Sequence, residues 1–223
     1  MNYPVGRLKV KSEKLLAVVF LGLVALSRWP GLFPPSFSVV YAFAFCAGVY
    51  FTKSLAWWLP LGTLMLTDVA LNFYYQHRGW KVWTWSVMEY QLINYLGYAG
   101  IIWLGRRFKP GSKFLTLLGG GVLGALLFYL VTNTASWLFN PFHNPEYARS
   151  LSGWLVAVVN GTNGWPPAWE FFRNTLLSSG LFTGLFVAAM KVTAAESPAD
   201  KEAGVRAKAD DAEPEPAGEE AGA

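Results

Sequence analysis

Charged residues and cysteine are scarce in this sequence. Only 14% of its 223 residues are Asp, Glu, Lys or Arg, whereas about 25% is usual for soluble domains. The single cysteine, Cys46, excludes an internal disulfide bond and a cysteine-based metal cluster. The sequence also lacks the His-Glu-x-x-His, Gly-x-Ser-x-Gly and phosphate-loop motifs, and His77 and His143 lie far apart along the chain. We therefore expect no enzymatic activity, no metal ion and no cofactor.

Apolar residues are abundant instead. Hydrophobic residues make up 53% of the chain and aromatic residues 17%, with eleven tryptophans. The basic residues lie in short clusters between apolar stretches, as they do in the cytoplasmic loops of membrane proteins, and they form no stripe that would track a nucleic acid. We therefore expect the lipid bilayer as a partner and no nucleic acid.

Six segments are apolar enough to be membrane spans, each of which needs about 20 mostly apolar residues. Because lipid offers no hydrogen-bond partners, such spans must be helices rather than open strands. The predicted fold class is all-α: a polytopic membrane protein with a bundle of six transmembrane helices and a disordered C-terminal tail. The predicted spans are residues 14–29, 36–52, 54–75, 83–105, 113–139 and 168–190.

The distribution of Lys and Arg predicts the orientation of these spans. With the N-terminus inside, thirteen of the 18 Lys and Arg residues fall on the cytoplasmic side. This pattern predicts a multi-pass inner-membrane protein with both termini in the cytoplasm. Residues 193–223 contain no aromatic residue and are rich in Ala, Glu, Asp, Pro and Gly. We therefore expect a transmembrane domain over residues 1–192 and a disordered acidic tail over residues 193–223.

Polar side chains within the predicted spans indicate a binding site. An ionisable residue at the centre of a spanning helix costs about 2.5–3.5 kcal/mol on insertion scales, so it is a candidate functional residue. At 1.5 Å per residue, the polar residues of four spans all fall in the outer half of the membrane, while the inner halves are nearly pure apolar sequence. Spacings of three and four residues place them on one face of each helix. The predicted substrate-binding residues are Asp68, Asn72, Asn94, Asn133, Trp137, Arg173 and Asn174.

This arrangement favours a pocket that opens outward over a continuous pore. We expect Arg173 to pair with Asp68 or Glu170, the amides to donate hydrogen bonds to a solute, and Trp137 to form a stacking wall. In a second interpretation, Glu89 and Glu170 lie at the water interface and an Asp–Arg pair only locks helices together. The outer connection, residues 140–167, either lies on the membrane surface or folds over the pocket as a lid.

Small residues recur at four-residue spacing, which lets helices approach closely. We expect these residues to pack within the bundle rather than to form a dimer interface. The pairs are Ala44 with Gly48, Gly120 with Gly124, and Gly121 with Ala125.

Several blocks together resemble an uncharacterised bacterial family of integral membrane proteins described as transport proteins. The resemblance covers about residues 15–190 and rests on residues 37–51, Pro60-Leu61, residues 65–68, residues 128–133 with Trp137, residues 147–154 and residues 171–176. That family is in turn similar to the substrate-binding S components of energy-coupling factor transporters, which are six-helix proteins that capture vitamins or metal ions from outside. The resemblance implies a substrate site near the outer face and membrane partner subunits. One departure is Leu21, which follows Ala17 where a second small residue is common in S components.

The sequence thus predicts a substrate-binding, S-component-like subunit that captures a small solute from the outer face. The alternative is a structural or accessory subunit of a larger membrane complex, in which the polar residues pair only with each other.

Overall fold

The regular elements of the protein are helices wherever its structure is described. The structure is a computed structural model that describes residues 10–52 and 54–195, and no strand occurs in these ranges. This confirms the all-α prediction for the described part of the chain. The helices are α1 (Val10–Ser27), α2 (Val40–Tyr50), α3 (Leu55–His77), α4 (Trp85–Gly105), α5 (Phe114–Phe139), α6 (Leu151–Leu155), which continues as a π-helical turn (Val156–Asn160), and α7 (Ala168–Ala195).

The chain divides into two units, residues 1–187 and 188–223. Of the second unit, the structure describes the last turns of α7, which end at Ala195. Most of the predicted disordered tail, residues 193–223, lies outside the described residues.

The ends of the helices follow the local sequence. The Thr84 side chain accepts a hydrogen bond from the backbone N–H of Val87 and so caps the N-terminus of α4. Asn140 ends α5 with a left-handed backbone (φ 43°), a conformation that asparagine tolerates better than most residues. Gly79 (φ 88°) turns the chain after α3. Gly79 and Thr84 thus separate α3 from α4, and Asn140 ends α5.

The second predicted span differs from the structure. Its helix, α2, covers only Val40–Tyr50, about 16 Å at the helical rise, whereas a bilayer core is about 30 Å thick. Two prolines at 34 and 35 and a left-handed Ser36 (φ 61°) hold the preceding residues out of the helix. All eleven residues of α2 are buried. The predicted bounds, 36–52, are therefore wrong, and α2 is a short central helix that packs against α3, α4 and α5.

Two helices of the described chain are long and apolar enough to cross a membrane. They cover Phe114–Phe139, with a mean hydropathy of 2.2, and Ala168–Val192, with a mean hydropathy of 1.5. These helices allow a membrane association. Two such helices do not by themselves establish the predicted bundle of six transmembrane helices.

Glycines bring α2 and α4 into direct backbone contact. A Cβ on Gly48 would overlap the carbonyl oxygen of Ile102, and a Cβ on Gly105 would overlap that of Phe45. On α5, Gly121 similarly leaves room for Thr183 of α7. The expectation that the small residues pack within the bundle is confirmed for these positions.

Candidate functional site

A cavity of about 730 Å³ lies among the helices of residues 1–187. Its wall comes from the C-terminal halves of α3 and α5, the N-terminal halves of α4 and α7, Arg28 just after α1, and the segment that joins α5 to α7. These halves meet at one end of the bundle, as they must when consecutive helices run in opposite directions. The opposite end contains the glycine contacts between α2 and α4.

One ion pair lies in the wall of this cavity. The Arg28 guanidinium contacts the Asp68 carboxylate, and the two side chains are only 20% and 14% exposed. The Tyr95 hydroxyl donates a hydrogen bond to Oδ2 of Asp68 at 2.7 Å. The three groups join the end of α1 to α3 and α4. The charges of Arg28 and Asp68 compensate each other, and both residues line the cavity.

Asp68 pairs with Arg28 and not with the predicted partner Arg173. Arg173 does not pair with Asp68 or with Glu170: its Nε donates to Oδ1 of Asn174 at 3.4 Å, and its guanidinium lies over the Trp169 ring. Arg28 directly follows the last turn of α1, and at this position its side chain lies beside Asp68. The prediction of an Arg173 ion pair is wrong.

Four of the seven predicted site residues line the cavity together: Asp68, Asn72, Asn94 and Asn133. Oδ1 of Asn72 accepts a hydrogen bond from Nε2 of Gln91 at 3.3 Å. Nδ2 of Asn133 donates to the carbonyl oxygen of Tyr129, one turn earlier in α5, at 2.9 Å. The Asn94 amide is half-buried and has no hydrogen-bond partner among the described residues. The cavity therefore presents amide groups that a solute can reach.

The other three predicted residues, Trp137, Arg173 and Asn174, are not part of the cavity wall. Nε1 of Trp137 donates to the carbonyl oxygen of Ala148 at 2.8 Å. Nδ2 of Asn174 donates to the carbonyl oxygen of Pro35 at 2.9 Å.

Helix geometry explains why α7 contributes other residues than those predicted. The cavity-lining residues of α7 are Ala168, Phe171 and Thr175, which follow one another at spacings of three and four. Arg173 and Asn174 lie off that face. The sequence placed the polar residues of α7 at the right end of the helix but on the wrong side of it.

Aromatic side chains form much of the wall. Tyr98 and Phe128 pack with ring centroids 4.5 Å apart, and Tyr41 lies edge-on to Phe128 at 5.2 Å. Tyr90 and Phe142 form a second pair at 5.6 Å. Aromatic walls with a few polar groups are typical of small-molecule pockets.

The segment between α5 and α7 closes part of the cavity. Nε1 of Trp154 donates to Oγ1 of Thr134 at 3.0 Å, and the Tyr129 hydroxyl lies 2.9 Å from the carbonyl oxygen of Val158. These bonds fix the segment on α5. Residues of this segment line the cavity, which is consistent with the expected arrangement in which it folds over the pocket.

Tyr147 belongs to the same segment and lines the cavity. Burial raises the pKa of its phenol, and Tyr90 and Glu146 raise this pKa further. The hydroxyl therefore stays neutral near pH 7 and is able to donate a hydrogen bond.

Sequence reasoning did not select Arg28, Gln91 or Tyr95 as site residues. Gln91 and Tyr95 are four residues apart on α4, and this spacing indicates that they share one face of the helix. Arg28 carried no such signal, because it follows the end of a helix. Within residues 10–52 and 54–195, no group of three His, Cys, Asp or Glu side chains is placed to hold a metal ion.

Comparison with known proteins identifies a family without an assigned activity. The family model that matches covers residues 8–200 and is described as a family of unknown function, DUF6580. No curated protein and no solved structure matches the chain. The similarity to S components of energy-coupling factor transporters stays a prediction. Because the match covers most of the sequence, the chain belongs to the DUF6580 family.

Proposed function

We propose that this protein is a multi-pass inner-membrane protein that binds a small solute in the cavity beside Asp68. It would act as an S-component-like subunit that captures the solute from the extracytoplasmic face and works with membrane partner subunits. The cavity volume of about 730 Å³ supports this function, because pockets for small molecules are commonly about 300–1,000 Å³.

The proposed topology has six membrane segments, with α2 as a short buried one, and both termini in the cytoplasm. Four basic residues cluster between α4 and α5: Arg106, Arg107, Lys109 and Lys113. Such clusters favour the cytoplasmic side. The cavity is formed by the opposite halves of α4 and α5, so it would open on the extracytoplasmic side.

The observation that carries the proposal is the Asn94 amide, which faces the cavity without a hydrogen-bond partner among the described residues. Asn94 is half-buried, and its amide is accessible from the cavity. In a network that served only to join helices, we would expect each amide group to be hydrogen-bonded within the protein. A solute that accepts and donates hydrogen bonds would bind this amide in place of water.

The test compares two variants of the purified protein by native mass spectrometry in lipid nanodiscs. Asn94→Leu keeps the number and branching of the side-chain heavy atoms and removes the amide, so we expect it to lose a small molecule that the wild type retains. Glu89→Gln is the control, because Glu89 lies on the same helix but not in the cavity wall. Detection of no small molecule in repeated wild-type preparations would contradict the proposal.

A structural role in a larger membrane complex is the second candidate function. It is favoured by the Arg28–Asp68–Tyr95 cluster, which connects α1, α3 and α4 and satisfies its own charges. In that case, Asn133→Ala would lower the stability of the protein and leave the set of retained small molecules unchanged.

A further inference from the structure

A second cavity, of about 260 Å³, lies between α3 and α4. Five of its lining residues are apolar: Met65, Val69, Trp83, Met88 and Leu92. We call this cavity the α3–α4 groove. Its other four lining residues are Asp68, Asn72, Gln91 and Tyr95, and all four also line the main cavity.

The partition between the groove and the main cavity therefore consists of these four residues. Two side-chain hydrogen bonds cross it from α4 to α3: Gln91 to Asn72 at 3.3 Å and Tyr95 to Asp68 at 2.7 Å. The two cavities are therefore adjacent, with these four side chains in the wall of both.

The groove opens on an apolar surface. Met65 is 61% exposed and Leu92 is 58% exposed, although both are large hydrophobic residues. In the proposed topology, acyl chains of the bilayer cover this surface. The groove is thus an opening from the lipid phase towards the main cavity.

The partition places an ionisable residue, Asp68, and polar side chains at a seam that faces lipid in the proposed topology. Polar groups there are costly unless they serve a purpose, and α2 and α4 show that this bundle can join helices through glycine contacts instead. Polar side chains at the α3–α4 seam would hold the head group of a solute that passes between the two helices.

We propose that the solute is amphiphilic, with an uncharged polar head group in the main cavity and an apolar chain in the α3–α4 groove. The inference rests on the proposed function and names the substrate class of that site. The head group carries no net charge because the charged residues of the main cavity, Arg28 and Asp68, already neutralise each other. The chain follows the continuous path from the polar partition to Met65, Met88 and Leu92.

Two fluorescent probes separate the head group from the chain. Dansylamide is uncharged near neutral pH and offers an aromatic ring and a sulfonamide, whereas N-octyldansylamide adds an eight-carbon chain. Binding of each probe is measured by dansyl anisotropy with the full chain in dioleoylphosphatidylcholine nanodiscs, and the signal from empty nanodiscs is subtracted.

A pair of variants on α4 tests the groove itself. Leu92→Trp fills the groove, whereas Leu96→Trp changes a residue that is 65% exposed and lies outside it. We expect the wild type to bind the octyl probe at least tenfold more tightly than dansylamide. Leu92→Trp should weaken binding of the octyl probe at least tenfold and binding of dansylamide less than twofold, and Leu96→Trp should alter neither by more than twofold.

Four outcomes would overturn the inference. If both probes bind equally well, or if Leu92→Trp weakens both equally, the chain does not occupy the groove, and the proposed function stands. If Leu96→Trp acts as strongly as Leu92→Trp, the effect belongs to the surface and not to the groove. If neither probe binds, the inference fails, whereas the solute-binding function is contradicted only if native mass spectrometry also detects no retained small molecule.

Discussion

The two ends of the bundle are built differently. At the end near Gly48 and Gly105, the backbones of α2 and α4 touch, and a single added carbon would overlap a carbonyl oxygen. At the end near Asp68 and Asn94, half-buried polar and aromatic side chains hold the helices apart around a cavity. The packed end fixes the positions of the helices, so that the other end stays open without losing its shape.

This difference follows from side-chain size. Glycine permits the closest approach of two helices, and close packing there leaves few voids. Tyrosine, phenylalanine and asparagine cannot pack so closely around a common axis, so their helices enclose space. Stability should therefore depend mainly on the packed end, and ligand binding on the cavity end.

The largest expected effect is that of Gly105→Ala at the packed end. Its Cβ would overlap the carbonyl oxygen of Phe45, and backbone atoms cannot move aside cheaply. We expect a loss of about 3 kcal/mol in the free energy of unfolding. Denaturant unfolding in detergent measures this loss. Gly100→Ala is the control, because nothing lies within 4 Å of that site, and it should stabilise α4 slightly.

Asp68→Asn should have the next largest effect, because it leaves the Arg28 charge without its partner. Removal of one partner of a fully buried pair costs about 3–5 kcal/mol, and the partial exposure here reduces the expected loss to about 2 kcal/mol. A double-mutant cycle with Arg28→Gln measures the coupling. Additive losses would contradict the ion pair, and Glu89→Gln serves as the unpaired carboxylate control.

Ser179→Ala tests a hydrogen bond between helices at buried positions. Ser179 donates to the carbonyl oxygen of Gly121 at 2.9 Å, whereas Ser178 donates within its own helix to Thr175 at 3.2 Å. We expect a loss of about 1 kcal/mol for Ser179→Ala and a smaller change for Ser178→Ala, both measured by thermal unfolding. Equal losses would show that the bond to α5 contributes nothing.

Asn94→Leu should change stability least, by no more than about 0.5 kcal/mol, because no hydrogen bond to the described residues is lost. The same variant is expected to lose the retained solute. A fall of more than about 1 kcal/mol in the free energy of unfolding of ligand-free protein would show that Asn94 has a structural role, and the contrast between the two ends would weaken.

The candidate site was partly predictable. Asp68, Asn72, Asn94 and Asn133 stand out in the sequence because polar residues are rare among apolar neighbours, and the helical period places them on inward faces. Trp137 and Asn174 were selected by the same reasoning, yet their side chains bond to the backbone of Ala148 and Pro35. Periodicity predicts which residues share a face, but not which neighbour that face meets.

The short helix α2 shows a similar limit. Its apolar residues predicted a membrane span, because hydropathy does not distinguish a helix surrounded by lipid from one surrounded by other helices. Burial of all its residues depends on packing against α3, α4 and α5, and α4 and α5 are distant in sequence.

The helical class, the two long apolar helices and the meeting of polar residues from α3, α4 and α5 were predictable from the amino-acid sequence, because hydropathy and helical period are local properties. The pairing of Asp68 with Arg28 and the position of residues 140–167 in the cavity wall depend on the tertiary structure. The rotation of each helix about its axis and the paths of its connections are settled by packing against the whole bundle, and no local pattern contains that information.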